Sequence, residues 1–390
     1  VTTNGSDAAG LPTSNTAIGW RALQDMNQTD QTSAYGYNTA IGYDSAKNLT
    51  TGEYNVFLGT SSGGSGVITG NYNIAIGYEA GKDLTSGQHN VAVGSYTGDE
   101  ITTGQYNISV GNYALGANID GDANTAIGYA ALNQFEADSD GHGNNTAVGK
   151  EAGYYVSTGT ENTFIGANSG KGITSAKIEG NGNTCLGHNS GVELEGAAHS
   201  NTLIGTNAGN TTEYGVENTC IGYNVETSGD NSTNQIVIGN NVIGTADNAV
   251  HIGNDSSHIR CDFNADQTWD ASSDMRQKKD IKDIEAGLGF INALKPVKYK
   301  HKSPSEFPQE WTAYNENDIT PMGGSDKYYY GFIAQDVKKA IDKYNMSDYS
   351  AWAVEPDGRQ RVSKESMVVT LVKAVQELSK KVEELENKEK

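Results

Sequence analysis

The sequence is short of cysteine, of proline and, over most of its length, of positive charge. Three cysteines in 390 residues, Cys185, Cys220 and Cys261, give no even disulfide framework, so the thiols read as reduced and assembly in a cytosol is compatible with them. Residues 1–272 hold 7 Lys and Arg against 28 Asp and Glu, whereas residues 273–390 hold 20 of each. The formal charge of −21 therefore belongs entirely to the first part, and such a surface repels nucleic acid and anionic membranes. No apolar run approaches the ~20 residues of a membrane span, and no signal-peptide pattern opens the chain, so neither membrane insertion nor export by a standard signal is expected. Seven histidines are scattered without an HExxH or paired metal spacing, so no metal and no cofactor is expected.

What the first part has is glycine in a repeat. Of 48 glycines 42 precede residue 273, and five of the six prolines follow residue 290, which sets a boundary near 272. Aligned on one glycine, fourteen copies run from "NTAIG" (15–19) through "NVFLG" (55–59), "NTAVG" (145–149) and "NTCIG" (218–222) to "NAVHIG" (248–253). Seven of the thirteen glycine-to-glycine steps are 17 residues, and longer steps absorb insertions such as "FEADSDGHG", as a solenoid tolerates in its loops. The residue before the glycine is always Ile, Leu or Val and the one two earlier is Thr, Val or Ile, an alternation that reads as a strand with these two columns turned inward. The glycine permits a positive-φ corner, and the asparagine opening most copies can stack in a ladder.

On that reading the column between them faces outward. It is small or apolar throughout and includes Phe57, Phe164, Cys185, Cys220 and His251, which implies burial of an outer stripe against another copy of the chain. The repeats resemble the heads of trimeric adhesins and the shafts of phage tail fibres, and the resemblance implies three chains. The expected fold class is mainly β: an elongated trimeric β-solenoid or β-roll shaft, with an intertwined triple β-helix as the alternative, followed by a small α+β domain. Tyrosines near the loop ends (Tyr43, Tyr54, Tyr72, Tyr78, Tyr106, Tyr129, Tyr223) either stack on sugars or cover the shaft. The carboxylates of 137–143 meet no calcium-loop consensus.

Beyond residue 272 the pattern is that of an ordinary α+β domain. "LKPVKYKHK" (294–302) reads as a strand after a proline turn, and "GFIAQDV" (331–337) as a buried strand entering a helix. Val368, Leu371, Val375, Leu378, Val382 and Leu385 alternate three and four apart, a short coiled-coil seam within 366–388 whose first turns could equally pack on their own domain. "SSDMRQKKDI", "LKPVKY", "GFIAQDV" and "VVTLVKAVQEL", in that order, resemble the C-terminal intramolecular chaperone of endosialidase-type phage tailspikes and fibres, a domain also found in some cellular proteins. The resemblance implies a domain over 273–390 that folds as a trimer, nucleates assembly of the preceding shaft, and cuts itself off.

It also places the nucleophile on Ser273 and the base on Lys278, with cleavage between Ser272 and Ser273. The chemistry is independently reasonable: a hydroxyl needs a base to take its proton, and a lysine serves when burial or neighbouring cations such as Arg276 and Lys279 disfavour its charged form. Asp274 and Asp280 are read as orienting groups, Gln335 as a supporting residue, and Ser272 remains an alternative nucleophile. A serine and lysine at this spacing carry no weight without the surrounding motifs.

The expected organisation is a connection at 1–14, a shaft at 15–255, a linker at 256–272 and the chaperone and autoprotease at 273–390. The expected function is a homotrimeric tail fibre or appendage of a virion, assembled in the host cytoplasm. It would attach through its N-terminal end to other tail proteins and bind a host-surface receptor for which a glycan is one option. A glycan-degrading tailspike enzyme and a bacterial trimeric adhesin are the alternatives. No reproducible pair of carboxylates favours the former, and no anchor favours the latter.

Overall fold

The computed structural model describes residues 4–6, 12–26, 36–136, 142–264, 270–271, 275–311, 313–321 and 327–389. The chain divides into two compact units, Val1–Ser273 and Asp274–Lys390. In the first, every repeat copy contributes one short strand. The fourteen strands from Thr16–Ile18 to Ala249–Asn254 pair in parallel in sequence order. Copies pair in phase, with Thr146 opposite Thr163 and Ala147 opposite Phe164. Consecutive copies of one chain are thus direct neighbours, which makes a single-chain β-solenoid and excludes the intertwined triple helix over the described copies. Each copy advances by one strand spacing, so thirteen steps of ~4.8 Å give roughly 60 Å.

The asparagines weld one coil to the next. Asn107 is fully buried. Its backbone N–H donates to Asn90 Oδ1 at 3.0 Å, its Nδ2 donates to the Gly121 carbonyl at 2.8 Å, and its Oδ1 accepts from the Asn124 backbone at 2.9 Å. The bond from the backbone N–H to the preceding asparagine's Oδ1 recurs at each opening asparagine from Asn38 to Asn218. At each corner the glycine after the strand is forced by the coil above. Gly42 has φ of +143°, and a Cβ there would lie 2.4 Å from the Gly59 carbonyl oxygen.

The assignment of strand faces expected from the alternation is reversed. The middle residue of each strand points into the coil and the flanking pair points out: Ala40, Phe57, Ala126, Phe164, Cys185 and Cys220 are fully buried, while Ile18, Ile41, Ile127 and Leu186 are exposed. The reason is steric. The coil is too narrow for two large columns and admits one column that alternates small with large against the opposite wall. Where Phe57 fills the interior that wall carries Gly63, and a Cβ there would fall 2.4 Å from the ring. His251, Cys185 and Cys220 therefore belong to the interior and not to an outer stripe.

Near the C-terminal end Gln235 replaces asparagine, keeps the backbone bond to Asn218 Oδ1 at 3.0 Å, and turns its amide to Asp247 at 2.9 Å. Ser257–Asp262 then folds back antiparallel on Ala249–Asn254, and Asp270–Ala271 pairs with it in turn, so the stretch read as a linker carries strands of the same sheet. A hairpin of this kind closes the parallel sheet at one edge.

The second unit contains three α-helices among its described residues: α1 (Leu288–Ala293), α2 (Ala334–Lys343) and α3 (Met367–Lys388). Two small antiparallel pairs accompany them, Val297–Tyr299 with Tyr329–Gly331 and Trp352–Val354 with Gln360–Val362. The core gathers Phe290, Val337, Ala340, Ile341, Ala351 and Met367. The strand leading to α2 is half-exposed, contrary to the buried strand expected there, because a two-stranded pair has one face without cover. Helix α3 packs on its own unit through Met367, Thr370 and Ala374 and leaves the other side open.

Two measurements test these forces. Asn107→Ala removes the acceptor of both the backbone and the side-chain N–H of Asn124 in a buried setting, while the Gly121 carbonyl keeps its bond from Asn118 Nδ2, so it should cost about 3 kcal/mol in the solenoid's unfolding free energy. Burial pushes the half-buried Asp99 carboxyl from 3.8 up to about 6. The folded chain then holds its proton more tightly than the unfolded chain, so stability falls as pH rises between those values. Asp99→Asn should be close to neutral at pH 3.5 and stabilising at pH 7 by about 1 kcal/mol after allowance for partial exposure, in paired denaturation curves.

Candidate functional site

The segment that carries the expected cleavage chemistry begins outside the described residues: Ser272, Ser273 and Asp274 all lie there. Immediately after them Met275–Gln277 forms one turn of 3-10 helix, closed by the Lys278 backbone N–H on the Met275 carbonyl at 3.0 Å. Asp280 takes a left-handed φ of 54°, which turns the chain again. Arg276, Lys278, Lys279 and Asp280 all present exposed side chains, and so do the apolar Met275, Ile281 and Ile284. A lysine acting as a base needs an enclosed, water-poor setting. The described residues around Lys278 in its own chain leave it open to solvent.

Gln335 lies elsewhere in the unit, in the first turn of α2. It lines an open groove of about 700 Å³ together with Lys300, Lys302, Lys364, Trp311 and Phe332, and neither Arg276 nor Lys278 is part of that lining. The groove is cationic and aromatic. Lys298 and Lys300, the latter part of that lining, place their ammonium groups 4.0 and 5.0 Å from the centre of the Tyr328 ring. Its one carboxylate, Glu306, accepts from the Ser303 backbone and hydroxyl, which hold it below the usual range. This groove was missed in the sequence, although its signal is visible there: Lys298, Lys300 and Lys302 recur at the period of two that puts side chains on one face of a strand.

A smaller apolar hollow of about 250 Å³ is lined by Ile291, Leu294, Phe332, Met367, Val368 and Leu371. It leads onto the open side of α3, where Val368, Leu371, Val375, Leu378, Val382 and Leu385 are each between 46 % and 61 % exposed.

In the solenoid, the tyrosines divide. Tyr37, Tyr54, Tyr72, His89 and Tyr106 form one continuous stack with centroids 4.9 to 5.0 Å apart and rings within 7° of parallel. Each occupies a left-handed corner, with φ between 57° and 65°. Tyr54, Tyr72 and His89 are covered on both faces by their neighbours, while the end rings Tyr37 and Tyr106 are more than half exposed. Tyr43 lies under the Arg21 guanidinium, which is paired with Asp44, while Tyr78 and Tyr129 meet Tyr96 and Tyr113 edge-on. Of the acidic stretch 137–143, residues 137–141 lie outside the described residues. No described helix is long and apolar enough to cross a membrane.

Cys185 and Cys220 are shut inside the coil. Burial pushes Cys220 up to about 12 and raises Cys185 further. Aromatic disulfide reagents should therefore leave both unmodified in the folded protein and titrate them only after denaturation; rapid native reaction at either would contradict their placement inside the coil.

Comparison with known proteins locates the second unit. Residues 273–345 match the family model described as chaperone of endosialidase. No curated protein and no solved structure showed significant similarity to the chain. The match begins at Ser273 and runs through the turn at 275–277, the lysine-bearing strand and α2. At residues 273–345, downstream of a β-solenoid, the chain carries a domain of the chaperone-of-endosialidase family.

Proposed function

We propose that the chain is a homotrimeric tail fibre or tailspike-type appendage of a bacteriophage virion. In this reading the solenoid is the mature shaft, and residues 273–390 direct its assembly and then leave. The observation that carries it is the coupling, in one chain, of a long β-solenoid to a chaperone-of-endosialidase domain, a combination that fits tail fibre and tailspike-type trimeric proteins. The acid-rich shaft would stand off from anionic surfaces, bind a host-surface receptor and join other tail proteins through its N-terminal end.

Three chains would meet first at α3. Its valine and leucine seam lies on the side that its own unit leaves open, so pairing it with two copies buries apolar surface that one chain leaves in water. Cleavage would follow. Ser273 Oγ attacks the Ser272 carbonyl carbon as Lys278 takes the hydroxyl proton; the peptide C–N bond breaks, and the Ser273 nitrogen leaves as an amine carrying that proton. Water then hydrolyses the ester and leaves a carboxylate on Ser272. Arg276, Asp274 and Asp280 orient the turn. The exposure of Lys278 in one chain, beside the exposed Met275, Ile281 and Ile284, supports enclosure of this segment on assembly and hence cutting after trimers form.

Denaturing electrophoresis tests the reading. Wild type should separate into residues 1–272 and 273–390, while Ser273→Ala and Lys278→Ala should stay full length in assembled trimers. Wild type that also stays full length in trimers removes the autocleavage. Leu378→Asp with Val382→Asp should shift the assembled mass from trimer towards monomer in sedimentation, and unchanged trimers would remove α3 from the assembly step.

A further inference from the structure

The aromatic stack on the solenoid is built from the residue before each ladder asparagine: Tyr37, Tyr54, Tyr72, His89 and Tyr106 precede Asn38, Asn55, Asn73, Asn90 and Asn107. Because each of those asparagines is bonded to the one in the coil before, the rings cannot slide along the shaft. Tyr37, Tyr54 and Tyr72 make the only face-to-face run of three phenols among the described residues. Tyr37 and Tyr54 lie 4.9 Å apart and 3° from parallel, and Tyr54 and Tyr72 lie 5.0 Å apart and 4° from parallel. All three are exposed. The two ring centres of a biaryl lie only a little closer than this. Joining two of these rings therefore asks them to turn edge to edge about χ2, a soft torsion in tyrosine, with a shift of their centres smaller than one bond length.

We infer that this corner is an oxidative cross-linking site, at which a one-electron oxidant joins Tyr54 to Tyr37 or to Tyr72 as dityrosine within one chain. Each of two phenols gives one electron to the oxidant and its hydroxyl proton to water. The two tyrosyl radicals then form a C–C bond between ring carbons ortho to oxygen. The hydrogens on those carbons move to the oxygens and restore both aromatic rings. Two electrons and two protons leave in all; with persulfate as the terminal acceptor, the electrons reduce it to two sulfates.

Geometry selects the partner. Radicals on separate molecules must meet by diffusion, whereas here the second phenol is already held against the first. His89 ends the run, because Tyr72 and Tyr106 lie two strand spacings apart, about 10 Å, which is too far for a bond. Tyr96 and Tyr113, face to face at 5.3 Å, are a second pair of the same kind. A link at Tyr54 ties residues 17 or 18 apart in sequence across adjacent coils. Such a tie removes freedom chiefly from the unfolded chain, so the linked solenoid melts higher. The site lies within one chain and does not depend on the trimeric reading.

The experiment illuminates the native full-length chain briefly with a ruthenium trisbipyridyl complex and persulfate, then locates the links by proteolysis and mass spectrometry. Wild type should give links between Tyr37 and Tyr54 and between Tyr54 and Tyr72, in a yield per chain that does not change with protein concentration. Tyr54→Phe, which keeps the ring and the stack, should lose both. His89→Tyr, which fills the gap with a phenol, should gain links to Tyr72 and Tyr106. The linked chain should melt at a higher temperature than the untreated one. Links found as often at exposed tyrosines outside the stack, such as Tyr328 and Tyr330, overturn the inference, as do links that join separate chains. Links at Tyr54 with an unchanged melting temperature overturn the effect assigned to them on the solenoid's stability.

Discussion

A buried asparagine amide has two donors and an acceptor that must all find partners, and in this solenoid they find them only in the coils on either side. That requirement sets the register of the whole first unit. It also explains which insertions the repeat accepts. The step from Gly166 to Gly187 is 21 residues, yet the Asn183 backbone N–H still donates to Asn162 Oδ1 at 2.9 Å, because the extra residues are taken up between the strands before the ladder resumes. The glycine corner imposes the second restriction, since a side chain there would enter the neighbouring carbonyl. Asparagine and glycine together make a coil that stacks on copies of itself and on little else.

The repeat, its strands and its corners were legible in the sequence because each depends on local residue types at a fixed spacing. The direction of the strand faces was not. Isoleucine and valine are the usual choice for an interior, and in "NIAIG" (73–77) and "NVAVG" (90–94) they flank an alanine, so burial preference alone turns the wrong face inward. The deciding quantity is the width of the coil, which no single copy reveals. Its trace lies in pairs of positions: the copies with Phe57 and Phe164 inside place Gly63 and Gly170 opposite them, where any Cβ would strike the ring. Pairing large residues against glycines across the coil would have pointed to the interior column.

In the second unit the order of four short motifs led to the family, and the structure arranges them on recognisable elements. What no motif shows is the setting of the lysine proposed as the base. Lys278 sits after a single turn in a stretch whose apolar residues are turned to solvent, and Gln335, read from the same family pattern, belongs to a different groove. The seam on α3 and the outward isoleucines of the solenoid strands, such as Ile18 and Ile41, share one trait: each leaves apolar surface open to water. In the proposed trimer, covering the α3 seam with copies of the same chain would give assembly a driving force at its start.

The ladder is the claim on which the rest depends, and native-state hydrogen exchange followed residue by residue tests it most directly. The backbone amides of Asn55, Asn73, Asn90 and Asn107, each bonded to the side chain of the asparagine one coil away, should exchange as slowly as those of the strands and only through global opening. Fast exchange at those asparagines while the strand amides stay protected would contradict the account.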